Sequence, residues 1–458
     1  MVFSSVLFLF RFMPVVFGLY YLTPRRWKNA VLFVVSLIFY SWGEIRYFPI
    51  MMASTVVDYV ASLGIERRRA KGFRGRGYLA LSMIFNLGSL GFFKYSGFLA
   101  ENLNTLLGTS IPVLSLTLPL GISFYTFQTM SYTIDVYWNT VEAERNFINF
   151  GAYVTLFPQL IAGPIVRYTD VARELQDRTH TVEGVGKGIQ TFIMGLGSKV
   201  LIANNIGSLW TRVEAMDFAT LSTPLAWLGI TAFALQIYFD FSGYSLMAIG
   251  LGKMLGFDFP QNFNYPYISK SITEFWRRWH MTLGSWFREY VYIPLGGNRK
   301  GAARQYFNIL VVWAATGLWH GASWNFVLWG LYFAVFLSIE KAFLLKGLEK
   351  SRVFSHLYLL ILVLLSWVLF AITDFTRLGQ FFTRLFGGYG GSDWIYYLRS
   401  YGITFALGFV CSTPVLRKLG DKLGENHLLV TLFSAGVFLL SVAYLVDSTY
   451  NPFLYFRF

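Results

Sequence analysis

Thr316-Gly-Leu-Trp-His320-Gly-Ala-Ser-Trp-Asn325 joins two apolar runs, Tyr306 to Ala315 and Phe326 to Ile339. A histidine flanked by Trp319 and Gly321 at such a join is costly unless it is hydrogen-bonded or kept for chemistry. The plain alternative is a histidine packed at a helix turn, its nitrogens satisfied by backbone carbonyls. Choosing between the two depends on where the rest of the chain puts this ring.

The composition places it in a membrane. Of 458 residues, 55% are hydrophobic, 19% aromatic and 14% charged, and mean hydropathy is +0.50; soluble domains carry about 25% charged residues. The fold class expected is an all-α polytopic integral membrane protein. One cysteine, Cys411, excludes an internal disulfide and a cysteine metal cluster. Five histidines (His180, His280, His320, His356, His427) are too scattered for a metal-ligand spacing, so no metal is expected. The net charge of +14 sits in short loops between apolar runs, the positive-inside pattern. It therefore points to a bilayer and not to nucleic acid. Val2 to Tyr21 lacks a basic n-region and a small-residue cleavage site, so it reads as a retained span.

Spanning helices need ~20 mostly apolar residues. Windows from 3–22 through 428–446 qualify in part, with 147–166 among them and 305–319 short, which predicts roughly eleven spans plus re-entrant or interfacial pieces. The most basic short loops of the first half, Pro24 to Lys28 and Glu66 to Arg76, are separated by two spans. Both can lie in the cytoplasm, which puts the N-terminus outside. Arg277 to Arg304, Lys346 to Arg352 and Arg417 to Lys422 read as cytoplasmic too. No internal repeat is evident, so residues 1–458 read as one membrane domain.

Residues 262–304 differ from the spans around them. Ser271 or Thr273 can cap a helix with Glu274 in its first turn. Phe275, Trp279, Leu283 and Trp286 recur at helical spacing, and Arg277, Arg278 and Arg288 add cationic positions. That is the pattern of an amphipathic interfacial helix on the cytoplasmic side, though it leaves His280 unexplained. From Arg304, about 15 helical residues raise His320 roughly 22 Å, most of the way through a hydrocarbon core of ~30 Å. The next run must return to the basic Lys346–Arg352 loop. Residues 305–343 thus form a helical hairpin with His320 near its tip, inside the membrane, where a titratable group is a functional-site candidate.

The chain also resembles the membrane-bound O-acyltransferase superfamily, in its bacterial alginate O-acetylation branch. Four stretches carry the likeness: Leu118-Pro-Leu-Gly-Ile-Ser-Phe-Tyr125, Phe157 to Tyr168, Tyr238-Phe-Asp-Phe-Ser-Gly-Tyr-Ser245, and the run from Phe275 through Trp-His-Gly321. Met-Val-Phe-Ser-Ser5 adds to it, and the last quarter of the chain carries no usable motif. The resemblance implies that fold around a buried catalytic cavity. It also implies transfer of an acyl group, acetyl in the main reading, from a cytoplasmic thioester to an extracytoplasmic polysaccharide. His320 matches the family's essential histidine and His280 the upstream histidine of the bacterial branch. Acetyl-CoA or another acyl thioester is implied as donor substrate, with no bound cofactor. The implied setting is the bacterial inner membrane, beside a periplasmic or membrane-anchored acetyltransferase and a polysaccharide-synthesis complex.

O-acylation needs a base for the hydroxyl proton and a donor or dipole for the developing oxyanion. His320 is the candidate base, with acyl-histidine formation as the other route. Asn325 and Ser323 are candidates to orient it, and His280, Arg277 and Arg278 to line a thioester tunnel, where a phosphate-bearing donor would be attracted. Headgroup snorkelling is the competing role for the two arginines. Trp319 and Gln159 complete the substrate-binding set. Asp240, between Phe239 and Phe241, is expensive unless paired, and an arginine or a tyrosine hydroxyl is the expected partner. Lys94 and Lys199 read as snorkelling anchors, and Gly163-Pro164 as a helix break. Two readings compete with acetylation: transfer of D-alanyl or another acyl group to a cell-wall polymer, and a transporter whose buried His and Asp relay protons. A transporter often shows paired halves, which this sequence lacks.

Overall fold

The computed structural model describes residues 1–114, 116–423, 427–447 and 454; the side chains of Leu423 and His427 lie outside the described set. Among these residues the secondary structure is helical, with no strand. Six helices are long and apolar enough to cross a bilayer, among them Phe48–Ala70, Thr223–Met254 and Leu428–Asp447. Other expected windows form shorter or broken helices. The 147–166 window ends as a helix at Thr155, and Pro158 opens a separate turn, Phe157–Leu160. Pro158 has no N–H to donate, so the first helix cannot run through it.

The chain groups into two compact units. The first comprises Met1–Phe192 with Met247–Pro260, the second Ile193–Leu246 with Gln261–Phe458. In the first unit, α1 (Phe48–Ala70), α2 (Arg76–Leu107) and α3 (Ile122–Trp138) enclose a polar seam. Its centre is Asp58, fully buried, whose carboxylate accepts from Ser82 Oγ, from Asn86 Nδ2 at 2.8 Å and from Thr133 Oγ1 at 3.1 Å. Those donors offset the cost of taking the carboxylate out of water.

The second unit carries the hairpin and the interfacial segment. Its helices are the part of α4 (Thr223–Met254) up to Leu246, α5 (Ile272–Arg278), α6 (Met281–Phe287), α7 (Ala302–His320), α8 (Trp324–Ile339) and α9 (Arg352–Ala371). Helices α7 and α8 run antiparallel, joined through Gly321–Ser323, and pack backbone to backbone. A Cβ built on Gly317 would lie 2.3 Å from the Phe326 carbonyl oxygen, and one on Gly330 would lie 2.3 Å from that of Trp313. Only glycine permits this approach.

The single amphipathic helix expected over residues 275–286 is not found. His280 has φ 45°, a left-handed conformation that a right-handed helix cannot contain, so α5 and α6 are separate. Phe275, Trp279, Leu283 and Trp286 are all buried. They pack inside the unit and are not interfacial anchors. Ser271 does cap α5, its Oγ accepting from Glu274 N at 3.0 Å. A second cap comes from the fully buried Glu340, which accepts from Ile272 N at 2.6 Å, Thr273 N at 2.8 Å and Thr273 Oγ1 at 2.6 Å. A carboxylate at the positive end of α5 is well placed.

Candidate functional site

His320 is the last residue of α7 and is 8% exposed. Gly321, extended just after it, packs against Phe326 so closely that a Cβ there would lie 2.2 Å from the ring. The Gly of Trp-His-Gly is therefore required by space. Aromatic rings box the imidazole edge-on, with Trp319 and Trp329 each at 5.0 Å and Phe370 at 5.3 Å between centroids.

One face of this box opens on a cavity of about 20 Å³, room for about one water. Ile237, Asp240, Phe241, Trp279, Trp367 and Leu454 complete its lining. Four of the walls interlock, Trp279 against Trp367 at 5.0 Å, Trp367 against Phe370 at 5.6 Å and Trp329 against Phe370 at 5.4 Å.

Asp240 faces the same cavity and is paired, as its cost requires, but with a lysine. Lys199 Nζ lies 2.5 Å from Asp240 Oδ1, and the two side chains are 2% and 3% exposed. The Lys199 ammonium also donates to Asn204 Oδ1 at 2.9 Å, and Asp240 Oδ2 accepts from Leu454 N at 2.9 Å. Among the described residues, neither an arginine nor a tyrosine hydroxyl partners Asp240, and Lys199 is no snorkelling anchor. It sits in a π-helical stretch, Ser198–Asn204, whose extra residue per turn re-aims side chains out of the regular helical register.

His280 lies in the same unit, 2% exposed, against Phe241 at 4.7 Å and Trp319 at 5.9 Å. Trp319 thus touches both histidines. Asn262 fixes the tautomer of His280. Its Oδ1 accepts from Thr282 N at 3.3 Å and from Thr282 Oγ1 at 2.9 Å, and its Nδ2 donates to Ser245 Oγ at 3.1 Å. The His280 Nδ1, 3.1 Å from that Oδ1, must therefore donate to it. Nε2 is left as a buried lone pair with no hydrogen-bond partner among the described residues. Burial pushes the imidazole pKa down to about 3, since the cation would lose its hydration, so the ring is a neutral acceptor.

The remaining candidates scatter. Arg278 is bound to Glu274 at 2.8 Å and to the Asn264 carbonyl at 3.2 Å, which ties it within its own segment. Arg277 is exposed and close enough to Lys341 to repel its charge. Asn325 is fully buried and donates to the carbonyls of Leu369 and Phe370 at 3.1 and 3.4 Å, so its link to His320 runs through Phe370. Ser323 stands at the start of α8 without a side-chain cap bond. Gln159 belongs to the first unit, where its Nε2 donates to the Tyr153 carbonyl at 2.7 Å.

Sequence reasoning missed Lys199, Asn262 and Leu454. For Lys199 a signal existed, a lysine inside the apolar window 186–207; for Asn262 and Leu454 none did.

The chain is also similar to known proteins. Residues 141–379 match the membrane-bound O-acyltransferase family. A "Probable alginate O-acetylase" of Azotobacter vinelandii is 41% identical over 391 residues, 84% of this chain and 78% of the relative. One of Pseudomonas putida is 36% identical over the full length of both chains. A peptidoglycan O-acetyltransferase of Helicobacter pylori is 36% identical over 75% of this chain and 71% of the relative. A multi-pass helical chain with a buried histidine at a hairpin tip, matched at this level, belongs to the membrane-bound O-acyltransferase family and is an acyltransferase.

Proposed function

We propose that this enzyme moves acetyl groups from a cytoplasmic thioester, acetyl-CoA, to a hydroxyl that carries them toward an extracytoplasmic polysaccharide. The observation that carries this reading is the ring of His320 lining a small, aromatic-walled cavity. His320 removes the hydroxyl proton as the oxygen attacks the thioester carbonyl. The C–O bond forms, the C–S bond breaks, and sulfur leaves as a thiolate that takes up a proton. His280 is the second acid–base group. Its ring lies across Trp319 from that of His320, and Asn262 holds its Nδ1. The exposed Arg277 near Lys341 forms part of a positive lip that attracts the donor's phosphates.

Relatives named for alginate and for peptidoglycan support a secreted polysaccharide as the final acceptor. A periplasmic or membrane-anchored acetyltransferase and the polymer's synthesis complex are the partners. The enzyme lies in the bacterial inner membrane with its N-terminus outside. The test is His320→Ala in cells that make the polymer, with ester acetate on the secreted polysaccharide measured at equal enzyme levels. Acetylation is expected to be lost, and its survival would overturn the reading.

A further inference from the structure

Leu454 stands apart from the rest of the cavity lining. Ile237, Asp240, Phe241, Trp279, His320, Trp329, Trp367 and Phe370 lie on the core elements of the unit, whereas Leu454 follows the last spanning helix, Leu428–Asp447. Its side chain is 5% exposed, and its backbone N–H is held by Asp240 Oδ2 at 2.9 Å. The other oxygen of that carboxylate is fixed by Lys199 at 2.5 Å.

The aromatic walls grip one another at ring distances of 5.0 to 5.6 Å and cannot retreat singly, because close-packed interiors transmit strain. Leu454 is aliphatic and comes from a separate segment. The space left among these side chains is about 20 Å³, so small that a change in any one lining side chain changes what fits.

We infer that Leu454 is the end wall of the acyl pocket: its side chain sets the length of acyl group the enzyme transfers, and Asp240 holds it in place. This makes Leu454 a specificity-determining residue for short acyl thioesters, and it gives the buried Asp240–Lys199 pair the task of positioning it. The inference rests on the proposed acetyl transfer near His320.

The test uses membranes from cells that make the polymer, containing the full chain with its partner acetyltransferase, supplied in turn with acetyl-, propionyl- and butyryl-CoA, and reads acyl ester on the polymer. The wild type is expected to favour acetyl over butyryl by on the order of 100-fold, the scale on which a closed apolar pocket rejects added methylenes. Leu454→Ala should bring that ratio down at least tenfold. Leu454→Val, which removes one methylene and leaves the fold intact, should raise propionyl relative to acetyl by several-fold. Ratios unchanged in both variants while acetyl transfer persists would overturn the inference and leave the proposed function standing. Loss of transfer from every donor in Leu454→Val at normal enzyme levels would overturn it too. A wild-type enzyme that uses none of the three thioesters would defeat the acetyl-transfer reading, and the inference with it.

Discussion

Breaking the Lys199–Asp240 pair is the sharpest stability test. At 2.5 Å, two unit charges attract by about 7 kcal/mol in the effective dielectric of ~20 that suits protein sites. Burial to 2% and 3% exposure costs several kcal/mol per ion, so the intact pair is close to neutral overall. Removing one partner is different, because it forfeits the attraction and leaves a desolvated charge, at ~3–5 kcal/mol. Asp240→Asn and Lys199→Met should each therefore lower the melting temperature of the detergent-solubilised chain by roughly 3–5 °C. The double variant should recover most of that. Asn at 240 still accepts from Leu454 N, and Met at 199 fills the lysine stem's volume without a charge.

The assay is tryptophan fluorescence on heating, run in low and high salt. Since both groups are out of water, the single-variant losses should be insensitive to ionic strength. Losses below ~1 kcal/mol, strong screening by salt, or a double variant as poor as the sum of the singles would each refute a buried, mutually dependent pair.

Three further outcomes are expected. His320→Gln should cut transfer by about 10²- to 10⁴-fold, the usual worth of a general base, with thermal stability little changed; a rate within tenfold of wild type would remove His320 from the chemistry. His280 has its pKa pushed down to about 3 in the fold against ~6.5 unfolded. Between those values the unfolded chain takes up a proton that the native state refuses, so stability is complete above pH 6.5 and falls as pH drops toward 3. At pH 5 the loss is ~2 kcal/mol, and His280→Asn, which tolerates the left-handed backbone, should abolish that part of the slope in a melting series. Gly321→Ala should cost ~1–3 kcal/mol and be partly rescued by Phe326→Leu, since its Cβ meets a ring. Gly317→Ala meets the Phe326 carbonyl oxygen and should gain nothing from that substitution in the same melts.

The hairpin and its histidine were legible because hydropathy and loop charge act over whole helices. Runs on either side of residues 316–325, bounded by Arg304 and by Lys346, leave little choice but two antiparallel helices with His320 at the turn. The segment around His280 was misread for an equally physical reason. Period-3.6 spacing at Phe275, Trp279, Leu283 and Trp286 is the same whether a helix continues or is broken and repacked. What breaks it is one residue's φ of 45°, which residue type seldom reveals. The partner of Asp240 lay 41 positions away in a π-helical stretch, and Leu454 lay 214 positions away. Pairings at such separations are set by tertiary packing, and a single sequence offers no local signal for them.

The strained backbone at His280 is best understood together with Asn262. Holding a non-glycine residue at positive φ costs on the order of 1 kcal/mol, and the fold meets that cost in a segment where α5 could simply have continued. A continuing helix would carry the residue 280 side chain on past Arg278 along the same axis. The left-handed turn instead delivers the ring to Asn262, whose other three hydrogen bonds are already committed to Thr282 and Ser245. That commitment forces the proton onto Nδ1 and leaves Nε2 bare, in a pocket formed by Phe241 and Trp319. A histidine wanted merely for packing would need neither the strain nor an unsatisfied nitrogen, since a phenylalanine would fill the same box with no orphaned acceptor. Strain, a fixed tautomer and a neutral lone pair beside the ring that also touches His320 together favour a proton-handling role for His280 over a structural one.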